Sequence, residues 1–581
     1  MMPVSFDLTR IPYSRRDCRL SVSAWEKNGV QQLYLCALLA GVDADRPGQA
    51  EPRQGRLFPV ILQKNGKAIP YAVQATISCI YIKGDGCSAR IVLQKGDILR
   101  VEAIGADVVF APELLPHELA KDRGDGSWEI CMKPVPKLLF CPIKGNLVPE
   151  TSFDVVTSMP GATKMVFHQD ESCVVDLAIH MYRSNAHRLH QYPTFDFCIQ
   201  EFEQEFTEYL AVSPVLPEEW IQQRELAVYL VWQHIQKFNT GIEAVYMNRG
   251  IHRAAFSWQQ SYQAMGQLRN PKLAWHMLTS MFRYQDDWGM LPDNINDITE
   301  DFGGTKPPIQ GLTYLFLREF ADFSFVSMTE YREFYENLSR AVYWWMSYRD
   351  TDHDGLAQFD SPDESGWDDC SLFTKGMPLA TADLATYLIL AMNALAVIAR
   401  EMNKEFEANE WQHRSDEMLE KMLSFFWNGD QFIARRNSDH MAVESKSAAI
   451  FIPLLLGNRL PGDIQNRMIE MLMEEGKWLT PYGIAGEALD SDFWRESGWL
   501  AGPILAPVQL LVCLGLRACG RKDLACDIAK RYCTALRKSD FAMIMSAIDG
   551  HDVSEGRWKQ KYPNRMSWTA LVFLLLGELF L

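Results

Sequence analysis

Positive charge is in short supply. The 581-residue chain carries 57 Lys and Arg against 74 Asp and Glu, a formal net charge of −17. Nucleic acid and anionic membrane both call for a basic surface, so neither is an expected partner. Long hydrophobic runs are missing too. The most apolar stretch, Ile504 to Leu516, is too short to span a bilayer and contains Pro507. The first twenty residues lack the apolar segment of a secretory leader. The 13 Cys are scattered, with no pair at CxxC spacing. That fits reduced, buried thiols in a cytoplasmic protein better than a disulfide framework or a zinc site. There is no GxSxG elbow, dinucleotide fingerprint or phosphate loop. His180, His187 and His190 lack Cys or carboxylate partners at metal spacing and read as strand and loop surface. No metal and no cofactor is expected.

What is there divides into two textures. Residues 1–205 hold short runs rich in β-formers, such as YAVQATISCIYI and DILRVEAIGADVVF, separated by turn signals such as KNGK and KGDG. Many short strands at that spacing predict an antiparallel β-sandwich. Residues 206–220, FTEYLAVSPVLPEEW, carry two prolines and read as a linker. From 221 to 581 the apolar residues recur at helical spacing, as in NPKLAWHMLTSMFRYQ, TEYREFYENLSRAVYWWMSYR and KDLACDIAKRYCTAL. Helices of similar length alternate with polar, aromatic loops. They predict a helical toroid whose loops form a cup at one end.

One of those loops, Tyr348 to Cys370, reads YRDTDHDGLAQFDSPDESGWDDC. Its opening, Asp350-x-Asp352-x-Asp354-Gly355, resembles the start of a calcium loop. Ser361 stands where the bidentate Glu belongs, so an Asp/Gly turn is the better reading. Its end crowds Glu364, Asp368 and Asp369 around Trp367. Carboxylates held near one another beside an indole raise the proton affinity of at least one, as a general acid requires. A solvated acidic loop has the same composition. A near copy of DESGW, RESGW, recurs at Arg495–Trp499 without the acids that follow the first.

This loop resembles the acid-bearing segment of glycoside hydrolase family 63 and of the related family 37 trehalases. There an aromatic-Arg-Asp turn and a Gly-Leu stretch lead into Glu-Ser-Gly-x-Asp. The resemblance runs in order along most of residues 216–581. It takes in FSWQQSYQAMG (256–266), YQDDWGMLPDNI (284–295), TKPPIQGLTYLFL (305–317) and the stretch from Thr480 to Leu516. It implies an N-terminal antiparallel β-sandwich followed by an (α/α)6 barrel, and hydrolysis with inversion by two carboxylates. The acid maps onto Asp368. The base, a Glu in Glu-x-Tyr-Asp-(Pro/Val), maps onto Asp549, a departure that shortens the side chain by a methylene, with Glu555 as the second candidate. The early Trp-Asp pair becomes Trp258-Gln259, which puts the family's substrate in doubt for this chain.

The expected activity is release of a terminal α-linked, glucoside-like sugar from an oligosaccharide or small glycoside. The expected substrate contacts are Trp258, Gln259, Glu364, Trp367 and Trp494. Two other readings fit the altered base. In an inverting phosphorylase, phosphate held by His551, Ser554 and Arg557 replaces the base and water. In a carbohydrate-binding protein the barrel has lost catalysis.

Overall fold

The computed structural model describes residues 4–27, 30–38, 56–132, 137–185, 188–238, 240–250, 252–554 and 565–581. The N-terminal region is two packed antiparallel sheets. In the nine-stranded sheet, Ile98–Ile104 pairs with Cys87–Gln94 on one side and Val174–Tyr182 on the other. In the seven-stranded sheet, Val30–Ala37 lies between Leu20–Lys27 and Arg56–Lys64. Apolar residues alternate into the space between the sheets. Ile80 and Ile82 point inward, with Tyr81 and Lys83 outward. Phe58 of one sheet meets Phe140 of the other with ring centroids 5.7 Å apart. His180 is not on the surface. It is buried against the Tyr192 hydroxyl at 2.7 Å, and burial pushes its imidazole down to about 4. His187 lies outside the described residues.

The segment read as a linker begins inside a helix. In α1 (Phe195–Ala211), Phe195, Cys198, Phe202, Phe206 and Tyr209 form one buried stripe. The stripe packs α1 onto the sandwich, with Phe202 stacked on Tyr13 at 5.9 Å. Arg15, fully buried, pairs with Glu201 and Glu205 of α1 and donates to the Leu93 carbonyl. The prolines that suggested a linker fall after α1, and only 212–217 are without regular structure.

Twelve segments then alternate between an outer and an inner layer. In chain order they are outer α2 (Ile221–Trp232), inner α3 (Ser257–Met265), outer α4 (Pro271–Ser280), inner α5 (Gln310–Phe320) and outer α6 (Met328–Tyr348). After the one-turn α7 (Pro362–Ser365) come inner α8 (Ala382–Glu401), outer α9 (Glu405–Phe426) and the inner 3-10 segment Ala448–Arg459. Outer α10 (Gly462–Leu472), inner α11 (Ala506–Ala518), outer α12 (Lys522–Ser539) and inner α13 (Ser567–Phe580) complete the series. The six inner segments touch in a closed ring: α3, α5, α8, 448–459, α11, α13 and back to α3. This is an (α/α)6 barrel. Close approach is built in at Gly311, where a Cβ would lie 2.3 Å from the backbone of Ala391 on α8. Among the described residues, α8 is long and apolar enough to cross a membrane, but 89% of its most apolar window is buried as a core helix of the barrel.

Strict alternation makes the inner helices parallel, so their first turns meet at one end. Trp258, Gln310, Asp383 and Trp568 all sit there, in first turns, and all are buried. That end carries the polar loops.

Candidate active site

The loop from Arg349 to Cys370 is pinned charge by charge. Its base is zipped by Gln358–Phe359 against Leu379–Ala380. Ser361 accepts the Glu364 amide and caps α7, and Gly366 ends the turn at φ +72°. That backbone suits glycine, and a Cβ there would lie 2.6 Å from the Trp258 indole. Glu364 is buried. One of its oxygens accepts from Arg349 at 2.5 Å and the other from the Asp360 amide at 2.9 Å. Burial raises its pKa against the pull of Arg349. Both oxygens are engaged within the loop, so Glu364 shapes the loop rather than standing open to a sugar hydroxyl.

Asp363 is held by buried Lys306 at 2.9 Å, and Lys306 also pairs with buried Asp293 at 3.0 Å. Burial alone would weaken the hold of Lys306 on its proton. Asp293, Asp363 and Asp368 outweigh it and hold the ammonium well above the usual lysine range. Asp369 reaches across to the second copy of the motif. It accepts the amides of Trp499 at 2.7 Å, Leu500 at 2.6 Å and Ala501 at 3.2 Å. The remaining carboxylate, Asp368, is half-buried and lies in the field of Lys306.

Aromatic rings line the end of the barrel. Trp258 meets Trp568 edge-on at 5.9 Å, and Trp499 stacks on Trp568 at 5.9 Å. Trp367 is 3% exposed, and its indole faces the buried Asp383, whose carboxyl burial pushes up to about 6. Trp494 is half-buried over Gly502. Gln259 is fully buried. Its Oε1 accepts the Phe256 amide at 3.3 Å and its Nε2 donates to the Ser567 hydroxyl at 3.1 Å. The amide that replaces the family's Asp therefore joins α3 to α13 instead of facing a ligand.

The C-terminal half of the site is more open. The Asp549 side chain is 60% exposed, and its Oδ1 meets His551 Nδ1 at 2.5 Å. The His551 contacts hold its carboxyl below the usual range. Glu496, from the second motif copy, accepts the Ser546 hydroxyl at 3.0 Å. Asp552 pairs with Arg565 at 2.7 Å. Ser554 is fully buried and its hydroxyl accepts the Ile544 amide, so it is closed to a phosphate. Glu555 and Arg557 lie outside the described residues. The calcium-like turn is an Asp/Gly turn. Asp350 accepts the Gly355 amide at 2.9 Å and Asp352 pairs with His440 at 2.9 Å. Asp352, Asp354 and His440 place their ligand atoms within 4.8 Å of one another.

Sequence reasoning passed over Lys306, Asp293, Trp499 and Glu496. The Lys306 signal was present in TKPPIQG, where a cation sits just ahead of a helix start that feeds the cup. Glu496 and Trp499 stand in the repeated RESGW, but their partners, Ser546 and Asp369, lie 50 and 130 residues away; Asp293 carried no signal apart from Lys306.

A family model described as the mannosylglycerate hydrolase MGH1-like glycoside hydrolase domain matches residues 253–550. No curated protein matches the chain by sequence at a significant level. Solved structures are similar in fold. The GH63 mannosylglycerate hydrolase from Thermus thermophilus, in complex with Tris and D-glycerate, is 17% identical with a TM-score of 0.52. That match covers 61% of this chain and 99% of that one. The same enzyme in complex with glucose gives 18% identity and a TM-score of 0.51, with the same coverage of each chain. A bacterial glucoamylase in complex with acarbose is 9% identical with a TM-score of 0.62, covering 98% of this chain and 94% of that one. The last match extends over the β region as well as the barrel.

Proposed function

Because the chain belongs to the mannosylglycerate hydrolase MGH1-like glycoside hydrolase family, and is therefore a glycosidase, we propose that it removes a terminal α-linked hexose from a small glycoside with inversion at the anomeric carbon. The observation that carries this reading is the acid loop. On either side of Asp368, Asp363, Glu364 and Asp369 fasten the loop to Lys306, Arg349 and the 499–501 amides. Such bracing gives Asp368 the fixed geometry that general acid catalysis demands.

Asp368 donates its proton to the glycosidic oxygen as the bond breaks. Lys306 then faces the carboxylate left behind. Asp549 takes a proton from a water on the opposite face of the ring. An inverting pair stands about 6.5–9.5 Å apart to admit that water. Trp494, half-buried beside the cup, offers a stacking face for the departing group. Glucose is the expected sugar. Mannose with a glyceryl aglycone is the competing choice, since the Thermus enzyme is named for mannosylglycerate.

The test is a panel of α-linked glucosides and mannosides, mannosylglycerate included, with the released anomer followed by proton NMR. First appearance of the β-anomer is expected. First appearance of the α-anomer would refute inversion, and product formed only with added phosphate would replace hydrolysis by phosphorolysis.

A further inference from the structure

Asp549 is one methylene shorter than the Glu of the family pattern, and one of its oxygens is already engaged by His551. The neighbouring carboxylate comes from another loop. Glu496 lies within Arg495–Trp499, anchored by the Ser546 hydroxyl at 3.0 Å. One oxygen each from Glu496 and Asp549 and one ring nitrogen of His551 lie within 4.8 Å of one another. A water molecule fits between two carboxylate oxygens at that spacing, donating one hydrogen to each. Glu496 is also tied to the acid. Three residues further on, Trp499, Leu500 and Ala501 close their amides on Asp369, the immediate neighbour of Asp368. The segment that carries Glu496 is thus fastened to the acid loop at one end and to the Asp549 loop at the other.

We propose that Glu496 is a second catalytic carboxylate on the water side, holding the attacking water jointly with Asp549. The inference rests on the reading above, in which Asp368 is the acid of an inverting glycosidase. As the glycosidic C–O bond breaks, the proton of Asp368 passes to the leaving oxygen. The water oxygen bonds to the anomeric carbon, one water proton passes to Asp549, and the other O–H points at Glu496. His551 engages Asp549 through Oδ1. The longer Glu side chain, entering from the opposite loop, supplies the reach that Asp549 lacks.

The test uses the full chain with α-D-glucosyl and α-D-mannosyl fluoride, whose fluoride departs without an acid. E496Q is expected to hydrolyse the preferred fluoride about 100-fold more slowly with an unchanged melting temperature. Sodium azide is expected to restore consumption and yield the β-glycosyl azide, which a merely structural role would not produce. S546A, which releases Glu496 but keeps both carboxylates, is expected to lose about 5-fold. E496Q within twofold of the unsubstituted protein, or slow without azide rescue, overturns the proposal. So does loss of turnover on chelation that is restored by a divalent cation, which would make the cluster a metal site. D368N separates the two levels. Retained fluoride hydrolysis with lost O-glycoside hydrolysis supports the acid assignment whatever E496Q does. Unchanged O-glycoside hydrolysis by D368N defeats the underlying reading itself.

Discussion

The two Glu-Ser-Gly-Trp stretches share four letters and differ in almost everything else. In the first, Glu364 is buried in an ion pair with Arg349, and Gly366 is pressed against Trp258. In the second, Glu496 is exposed and held by one hydroxyl. The same tetrapeptide makes a rigid turn in one place and an open rim in the other. Conformation came from partners elsewhere in the chain: a half-buried Arg349, a packed indole and an aspartate that accepts three amides. The two copies are nevertheless joined, since Asp369 after the first binds the backbone at the end of the second.

That contrast can be broken from either side. The largest expected effect is D368N, a fall in kcat of about 10³-fold with the melting temperature unchanged, measured by steady-state kinetics on the preferred substrate. Near-normal turnover would remove Asp368 from the chemistry. D369A comes next. It leaves three amides without their acceptor and is expected to cost about 3 kcal/mol of stability by chemical denaturation, with protection of the 499–501 amides lost in hydrogen exchange. Unchanged protection would mean that the two loops are not coupled. G366A is expected to cost about 2 kcal/mol, from positive φ and contact with Trp258. The equivalent G498A should cost less, because Gly498 has ordinary φ and its added Cβ would lie 3.0 Å from the Ala501 methyl.

The smallest effect is a pH dependence. Asp383 has a folded pKa of about 6, above the roughly 3.9 of an unfolded aspartate. The folded state therefore holds the proton more tightly. The stability drawn from it is complete below pH 4 and declines as the pH rises toward 6. D383N should remove that decline, raising the melting temperature at pH 7.5 relative to pH 4.5 by roughly 2 °C compared with the unsubstituted chain. An identical pH profile for the two proteins would contradict the buried, raised carboxyl.

The barrel was only half legible in the sequence, and the division is physical. The outer helices α4, α6, α9, α10 and α12 face solvent on one side and show helical periodicity, while the second half of α2 is buried throughout. Of the inner segments, α8 and α11 also show apolar residues at helical spacing. The inner 448–459 and α13 are apolar and buried on nearly all sides, so no polar face marks their period, and α3 buries Ser and Gln side chains that read as surface. They were noticed as motifs or not at all. The acid loop was readable because it is contiguous. The water-side cluster was not, because Glu496 and Asp549 meet only after the chain has passed through α11 and α12. The link from Gln259 to α13 was hidden for a related reason: its partner, Ser567, sits on the last helix.

That last helix decides when the enzyme exists. α13 contacts α3, α11, α12 and α2, and its first turn supplies Ser567 to Gln259 and Gln263, and Trp568 to the aromatic wall. During synthesis the ring must remain open, with apolar faces of α3 and α11 uncovered, until Ser567–Phe580 emerges. Closure joins α3 to residues some three hundred positions later, a slow, high-contact-order event. Any lesion in α13 would then be felt first as failed maturation and lost yield, before a rate constant could be measured.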